Sequence, residues 1–300
     1  MGQFYPQMRI TVIGEANIDI AIVRQADTLP MGCTPGRITF HHGGVARNIA
    51  HNLCLLGHEV SLMTVFGGDD FAQSLIADGK AIGMDVSLST VFAQEKSPIF
   101  LSFNDEKGNM QSAVSDIGLN NYMDLTWIKS KMEDINHSEI VVADTLLSAE
   151  ALSYLIEHCE VPLYIDTVSP GKALRFAEAM KNAKRQKVTA LKCNLAEAIA
   201  LSGETEIQNA AKVVQNLGIE EVYLTLGEDG VIFCSATETM HFAPLPTQVV
   251  NVVGSGDAFF AGIIHAHALG YKGEKAIPYG LAVAKTALES AEPVNPTLCQ

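Results

Sequence analysis

The sequence lacks the features that are typical of nucleic-acid-binding, membrane-spanning and secreted proteins. Only 18% of its 300 residues are charged, and 34 acidic side chains outnumber 20 basic ones, for a net charge of -14. This balance argues against a broad basic surface and hence against a nucleic acid polymer as partner. No apolar run approaches the roughly 18 residues that span a membrane, and the opening "MGQFYPQM" lacks the segments of a secretory signal. We therefore expect a cytoplasmic protein with no membrane partner.

The six cysteines are scattered without a CxxC pair. This spacing favours small buried hydrophobes over metal ligands or disulfide partners. Hydrophobic residues, by contrast, make up 48% of the chain, which is enough for a sizeable core.

Strand-like and helix-like stretches alternate along most of the chain. The apolar run in "MRITVIGEANID" predicts a buried strand, and "VARNIAHNLCLLG" has helical spacing that ends at Gly57. The same rhythm recurs from "EIVVAD" to "EVYLTLG". Such alternation predicts a parallel sheet covered by helices on both faces.

Two segments, 21–43 and 96–115, break this rhythm because they lack a helix and read as extended pieces with turns. The stretch "NDEKGN" is typical of a hairpin turn. We expect the two segments to pair into a small sheet that acts as a lid over a ligand crevice. No linker or repeat divides the chain, so residues 1–300 are predicted to form one domain.

A glycine-rich stretch, "NVVGSGD" at 251–257, precedes the helix-like run "AFFAGIIHAHAL". Gly254 and Gly256 allow close backbone approach, and free N–H groups at a helix start attract an anion. Beside that anion, Asp257 could orient and deprotonate a hydroxyl that attacks phosphorus. We expect the helix N-terminus to make Asp257 a weak base. A glycine-rich turn capped by Asp257 explains the motif equally well.

A second glycine pair, Gly43 and Gly44 in "HHGGVARNIA", also precedes a helix. Without side chains at these positions, a polyhydroxylated ligand could touch the main chain. Asn48 is placed to hydrogen-bond a hydroxyl, and Arg47 to meet a phosphate or a carbonyl.

Asn17 and Asp19 follow the first predicted strand, in "GEANID". Ligands of open α/β sheets bind at this end of the strands, and an aspartate there can hold two sugar hydroxyls. An Asx-type turn is the alternative interpretation.

Five motifs resemble those of the ribokinase-like (PfkB) family of sugar and nucleoside kinases. They are "GGVARNIA" (43–50), "GGDDF" (67–71), "NLAE" (194–197), "TLGEDG" (225–230) and "GSGD" (254–257). Their order and spacing over nearly the whole chain are more specific than any single motif. The resemblance implies an α/β fold, with a central, mostly parallel sheet, helices on both faces and a small β lid.

The resemblance also implies roles for individual residues. Asp257 would be the catalytic base, and the N–H groups of Gly254, Ser255, Gly256 and Asp257 would form an anion hole. ATP would be bound by Lys192, Asn194, Thr225, Gly227 and Gly230, with residues 280–291 flanking the adenine. Asn194 and Glu197 would act on Mg²⁺ through water. An exposed, solvated position is the alternative for Lys192.

Some family members hold a monovalent cation such as K⁺, which would lie here near 251–253 and 287–293. The second signature usually begins with aspartate, whereas this chain has Asn251. That departure weakens the expectation of a K⁺ site.

Within the family, several stretches resemble the pseudouridine kinases, among them "ANIDIA" (16–21), "IDTVSPGKA" (165–173) and "NVVGSGDAFFAG" (251–262). This likeness implies phosphorylation of pseudouridine at its 5'-hydroxyl. Asp116, Ser169 and Lys172 are candidates for contacts with the uracil base, because a site that hydrogen-bonds a base rejects bare ribose. A turn or plain surface polarity is the alternative for each.

Three other interpretations stay open at this point. A dinucleotide-binding dehydrogenase is disfavoured because "GEANID" lacks the required glycine pattern. A non-enzymatic nucleoside-binding protein would be expected to lose Asp257, Asn194 or Glu197, and all three are present. A kinase for ribose, another sugar or an ordinary nucleoside is compatible with every motif. The resemblance further implies a homodimer formed through the lid, since exposed strand edges invite pairing.

Overall fold

The computed structural model describes residues 7–24, 32–33, 35–106 and 110–298. The strands are β1 Arg9–Ile13, β2 Asn17–Arg24, β3 Gly36–Gly43, β4 Glu59–Met63, β5 Val65–Phe66, β6 Thr90–Val91, β7 Ile99–Asn104, β8 Met110–Asp116, β9 Ile140–Asp144, β10 Leu163–Asp166, β11 Val188–Asn194, β12 Ile219–Thr225, β13 Val231–Ser235 and β14 Thr239–Phe242. The helices are α1 Val45–Leu55, α2 Asp70–Ala81, α3 Leu125–Asn136, α4 Ala149–His158, α5 Pro170–Asn182, α6 Leu195–Ser202, α7 Ile207–Gln215, α8 Ser255–Ala268 and α9 Ile277–Leu288.

The central sheet has the strand order β14-β13-β12-β11-β10-β9-β1-β4. The pairs from β4 to β12 are parallel, and only β13 and β14 add in antiparallel orientation. This confirms the predicted mostly parallel α/β sheet. A parallel neighbour needs a crossover, which explains why strands alternate with helices over most of the chain.

Strand β9 shows how the sheet separates two cores. All five of its residues are buried, which matches the near-continuous apolar run "IVVAD". Val141 packs into the core beneath α3, α4, α5 and α7, while the next residue, Val142, packs into the core with α1, α8 and α9. Successive side chains of a strand point to opposite faces, so helices cover both faces of the sheet, as predicted.

The two segments without helices form a separate four-stranded sheet of order β3-β2-β7-β8. It begins at Asn17, earlier than the predicted residue 21, because β2 starts directly after the loop that leaves β1. Strands β7 and β8 pair antiparallel as a hairpin. Part of the predicted turn, residues 107–109, lies outside the described residues.

Several elements differ from the sequence-based expectation. Helix α3 and strand β13 were not predicted, and β14 ends already at Phe242. Pro244 and Pro246 lie just beyond β14 and cannot donate to a sheet ladder, so the chain continues as a loop. Cys159, Cys193 and Cys234 are buried as expected, whereas Cys33 is exposed. Within the described residues, no helix is long and apolar enough to cross a membrane.

Candidate active site

Polar side chains collect along one edge of the central sheet. Glu15 follows β1, and Asp144, Asp166, Asn194 and Thr225 are the last residues of β9, β10, β11 and β12. Because these strands are parallel, their carboxyl ends lie at the same edge, which is where open α/β sheets bind ligands.

The N-terminus of α8 stands at this edge and requires glycine. Gly254, the residue before the helix, has φ +78°. A Cβ there would lie closer than 3.0 Å to the backbone of Pro293. Both the left-handed conformation and the close approach therefore exclude a side chain.

Two cavities open on either side of this turn. The first, the polar crevice, has a volume of about 570 Å³, and its lining includes Glu15, Asn17, Asp19, Asn48, Lys172 and Asp257. The second, the apolar slot, has a volume of about 510 Å³ and includes Thr225, Gly227, Gly230, Phe259, Leu281 and Leu288. Gly254 and Asp257 line the crevice, whereas Ser255 and Gly256 line the slot. One helical turn thus contributes to both cavities.

Asp257 is only 8% exposed. Its Oδ2 accepts a hydrogen bond of 2.9 Å from Asn48 Nδ2. Burial, together with the nearby Asp166 carboxylate, raises the pKa of Asp257 to about 7. The prediction that the helix N-terminus makes Asp257 a weak base was wrong, because desolvation penalises the ionised form more than the helix favours it.

Asp19 and Asn17 lie together at the start of β2. Asn17 Nδ2 donates to Asp19 Oδ1 at 2.7 Å, and burial raises the pKa of Asp19. Gly43 is the partner of Asn17 across the β2–β3 pair, and a Cβ at Gly43 would collide with the Asp19 carboxylate. Both side chains come from a strand that lines the crevice, so the Asx-turn interpretation is wrong. Gly44, with φ +99°, lines the crevice beside them.

Lys192 is buried, and its Nζ lies 3.0 Å from Asp166 Oδ2. Burial opposes the charge of Lys192, but the carboxylates of Asp166, Glu197 and Asp257 outweigh it and raise its pKa. The same Nζ would lie 3.1 Å from a Cβ at Gly256, so it sits beneath the start of α8. The alternative of a solvated surface lysine is therefore excluded.

Asn194 and Glu197 form a capping box at the start of α6. The Glu197 carboxylate accepts from the Asn194 backbone N–H at 2.8 Å and from Asn194 Nδ2 at 2.7 Å. Thr167 Oγ1 donates to it as well, at 2.6 Å. Glu197 is 1% exposed, and both of its carboxylate oxygens already accept hydrogen bonds. In the described parts of the chain, no cluster of three or more His, Cys, Asp or Glu residues is arranged to hold a metal.

Thr225, Gly227 and Gly230 lie together on the apolar slot, opposite Ser255 and Gly256. Gly230 has φ +91°, and a Cβ there would meet the backbone of Phe242. Neither Lys192 nor Asn194 lines the slot itself.

Comparison with known proteins agrees with this geometry. Residues 7–298 match the profile described as pfkB family carbohydrate kinase. The chain belongs to the pfkB family. It is a sugar or nucleoside kinase, with a ribokinase-like fold.

Three relatives illustrate the range of the family. A pseudouridine kinase from Escherichia coli (strain K12) is 30% identical over 96% of this chain and 93% of its own length. A guanosine-inosine kinase from Exiguobacterium acetylicum is 25% identical over 95% of both chains. The solved structure of a carbohydrate kinase from Agrobacterium tumefaciens superposes with a TM-score of 0.82 at 27% identity, covering 96% of this chain and 93% of that one.

Arg47 does not face the polar crevice of this kinase, contrary to prediction. Its guanidinium lies 2.6 Å from Asp78 Oδ2 and donates to the His42 carbonyl at 3.0 Å. Adjacent helical residues differ by about 100° around the axis. Asn48 reaches Asp257 through its Nδ2, whereas Arg47 reaches Asp78 on α2 and also donates to Asn48 Oδ1 at 3.2 Å.

Asp116 also fails to line the crevice, although Ser169 and Lys172 do. It is exposed at the end of β8, while Ser115 and Ile117 on either side contribute to the lining. Alternation along the strand places Asp116 on the opposite face.

Glu15, Phe100 and Val168 line the crevice and were missed from the sequence. Glu15 follows β1 in the same stretch as Asn17, so the rule that identified Asn17 would have identified it. Val168 carries no such signal. It has φ +61°, the only non-glycine residue with positive φ among those described.

Asn251 links the two stretches considered for a monovalent cation. Its Nδ2 donates to the Ala291 carbonyl at 3.1 Å, and its Oδ1 accepts from the Val253 N–H at 3.0 Å. The asparagine amide thus uses a backbone carbonyl that would otherwise be available to a cation.

Proposed function

We propose that this kinase transfers the terminal phosphoryl group of ATP to the 5'-hydroxyl of pseudouridine. One observation carries the proposal: the first turn of α8 contributes Gly254 and Asp257 to the polar crevice and Ser255 and Gly256 to the apolar slot. A nucleotide in the slot and an acceptor in the crevice would meet at this turn, where the N–H groups of the helix start favour a phosphoryl group.

On the acceptor side, Asp257 takes the proton of the attacking 5'-hydroxyl. The oxygen of that hydroxyl bonds to the terminal phosphorus of ATP, while the bond between this phosphorus and the leaving ADP breaks. A pKa near 7 suits a general base at neutral pH. Asn48 holds the carboxylate in place through its 2.9 Å hydrogen bond. Asp19, oriented by Asn17, accepts from two ribose hydroxyls, and the bare backbone at Gly43 and Gly44 lets the sugar approach.

The donor side fits ATP. The apolar slot suits an adenine, with residues 280–291 along one wall and Thr225, Gly227 and Gly230 toward the phosphates. The N–H groups of residues 254–257 form the anion hole, and the ammonium of Lys192 beneath Gly256 adds positive charge. When bound, ATP supplies the phosphoryl group.

Mg²⁺ fits only through water at Asn194 and Glu197, because the Glu197 oxygens already accept three hydrogen bonds. Mg²⁺ usually retains several waters when it accompanies a nucleotide. The amide of Asn251 at the Ala291 carbonyl supports activity that does not need K⁺.

The second sheet acts as the lid of the crevice and as the contact between two copies of the chain. Asp19, Phe100 and Ser115 lie on the crevice side. Phe40 and Val114, on the opposite side, are 59% and 64% exposed. Large apolar side chains that are this exposed, on both edge strands of the sheet, are typical of an interaction surface. In a dimer with two-fold symmetry, this surface on one copy of the chain would pack against the same surface on the other copy. Light scattering should give a dimer, and Val114→Lys should give a monomer.

Pseudouridine is favoured over other acceptors by the resemblance to pseudouridine kinases and by the relative from Escherichia coli. The relative named as a guanosine-inosine kinase keeps an ordinary nucleoside as the alternative. Ribose or another sugar is the further alternative. The presence of Asp257, Asn194 and Glu197 argues against a binding protein without activity.

The test is release of ADP from Mg·ATP with pseudouridine, uridine, inosine, adenosine, ribose and fructose as acceptors. We expect the highest kcat/KM with pseudouridine and a loss of at least about 100-fold in Asp257→Asn. Asp134→Asn, the same change on the exposed side of α3, is the matched control and should behave as wild type. A bare sugar as the best acceptor would refute the substrate while retaining the chemistry.

A further inference from the structure

Four polar residues cluster at the end of the polar crevice formed by the β1 and β9 termini and α5. Asn120 Nδ2 donates to Glu15 Oε1 at 2.9 Å, and the Glu15 backbone N–H donates to Asp144 Oδ2 at 2.8 Å. Burial raises the pKa of the Glu15 carboxyl and of the Asp144 carboxyl, and the ammonium of Lys172 opposes that rise in both. Of these residues, Glu15 and Lys172 line the crevice.

Glu15 has one carboxylate oxygen left for a ligand. Oε1 is engaged by Asn120, but Oε2 has no hydrogen-bond partner among the described residues. The residue is only 7% exposed. Glu15 lines the crevice, so a ligand that brings an N–H to this oxygen would gain a hydrogen bond to a charged acceptor.

Lys172 is the complementary donor. Within the part of the chain that the structure describes, its ammonium makes no hydrogen bond or ion pair within 4.0 Å. It lies in the first turn of α5, where a positive charge is unfavourable for the helix dipole. Lys172 therefore does not stabilise the helix by its charge, and the three N–H groups of its ammonium can donate hydrogen bonds to a ligand in the crevice.

The backbone before α5 is strained at the same place. Val168 has φ +61°, and the Ser169 N–H donates to the Thr167 carbonyl two residues back at 2.6 Å. This is a γ-turn with positive φ, a rare conformation that is particularly unfavourable for a β-branched residue. It delivers Ser169, whose hydroxyl does not cap the helix, to the crevice beside Lys172. Such strain is typical of functional sites.

We infer that Glu15 and Lys172 form a base-recognition pair, in which Glu15 accepts a ring N–H of the nucleobase and Lys172 donates to the neighbouring ring carbonyl. The inference rests on the proposed function, which places a nucleoside in this crevice. Adjacent N–H and C=O groups occur in uracil and hypoxanthine. Adenine and cytosine do not present them, and would leave a buried carboxylate and an ammonium unpaired.

The experiment compares pseudouridine with 1,4-anhydroribitol, a base-free acceptor that keeps the ring hydroxyls and the 5'-hydroxyl. Glu15→Gln should lower kcat/KM for pseudouridine by about 10- to 100-fold, the value of a hydrogen bond to a charged acceptor. It should leave kcat/KM for anhydroribitol unchanged. Glu133→Gln, an exposed carboxyl-to-amide change on α3, should alter neither value. Lys172→Met should repeat the selective loss.

A second readout uses pseudouridine methylated at N1 or at N3. In the wild type, the analogue that lacks the recognised N–H should be a poor acceptor, and in Glu15→Gln this penalty should disappear. Equal losses on pseudouridine and anhydroribitol would overturn the inference, as would an unchanged methylation penalty in Glu15→Gln. Either result would mean that Glu15 has a structural role only.

The two proposals can fail separately. If the wild type does not phosphorylate pseudouridine, the proposed substrate is wrong, and inosine replaces it in the same comparison. A preference for inosine over anhydroribitol that is lost in Glu15→Gln would then still support the base-recognition pair. A wild-type preference for anhydroribitol over every nucleoside would overturn it.

Discussion

Gly254 offers the sharpest test of the site, because its substitution should affect catalysis more than stability. In Gly254→Ala, the new Cβ would lie well under 3.0 Å from the Pro293 backbone, and the residue would keep φ +78°. The left-handed conformation alone costs about 1–2 kcal/mol. To relieve the clash, the turn that begins α8 and the Pro293 backbone must move apart by roughly 1 Å. The backbone itself must move, because close packing leaves no free space for the new methyl group.

A displacement of about 1 Å in a catalytic group typically costs about 100-fold in rate. We therefore expect kcat/KM of Gly254→Ala to fall by about that factor, measured as ADP release under saturating Mg·ATP. Urea unfolding, measured in parallel, reports the loss of stability separately.

Gly83→Ala is the matched control. Gly83 has φ +81°, and a Cβ there would have no atom within 4 Å. This variant carries the same backbone cost without the clash, so it should lose about 1–2 kcal/mol of stability and retain full activity. If Gly254→Ala were as active as Gly83→Ala, the close approach would have no catalytic consequence and the reasoning would be refuted.

Three further predictions concern ionisable groups. With Asp257 as the base and its pKa raised to about 7, kcat/KM should fall as the pH is lowered below about 7, and a flat profile down to pH 5 would contradict this role. Lys192→Met should lower the free energy of unfolding by about 3–5 kcal/mol, since it leaves the buried Asp166 carboxylate without its counterion. The double variant with Asp166→Asn should recover part of that loss in urea unfolding. Burial lowers the pKa of His58, 2.9 Å from His265, to about 4. The folded state therefore binds fewer protons, and stability should fall as the pH drops from about 6.5 toward 4, a slope that His58→Gln should reduce.

The fold was largely predictable because its signals are local. Glycine turns, apolar runs such as "IVVAD" and helical spacing all lie within short windows of sequence. Helix α3 was missed even though a capping signal was present. Asp124 Oδ1 accepts from the Trp127 N–H at 2.8 Å, which is the spacing of an N-cap. In "LTWIKSKMEDIN", polar and apolar residues are mixed without an obvious apolar period, so the helix was not predicted.

The candidate site was harder to predict because it depends on orientation and burial. Arg47 and Asn48 are neighbours in sequence, yet only Asn48 hydrogen-bonds Asp257, because the Arg47 guanidinium is engaged by Asp78 and by the Asn48 side-chain oxygen. The raised pKa of Asp257 depends first on its burial and then on Asp166, which lies far away in sequence. No local pattern shows how deeply a carboxylate is buried, or which distant charge lies beside it.

The passage between the two sheets has a mechanical consequence. Only residues 14–16 connect β1 with β2, and Gly44 alone connects β3 with α1. The two crossings touch, since the Glu15 carbonyl accepts from the Arg47 N–H at 3.1 Å and a Cβ at Gly44 would collide with that carbonyl. Two of the four chain crossings to the second sheet therefore meet here, and Glu15 belongs to one of them; the other two are residues 92–98, which lead into β7, and Ile117, which follows β8. A ligand bound at the Glu15 carboxylate would contact one of these crossings directly, so we expect its binding to be coupled to any change in the angle between the two sheets.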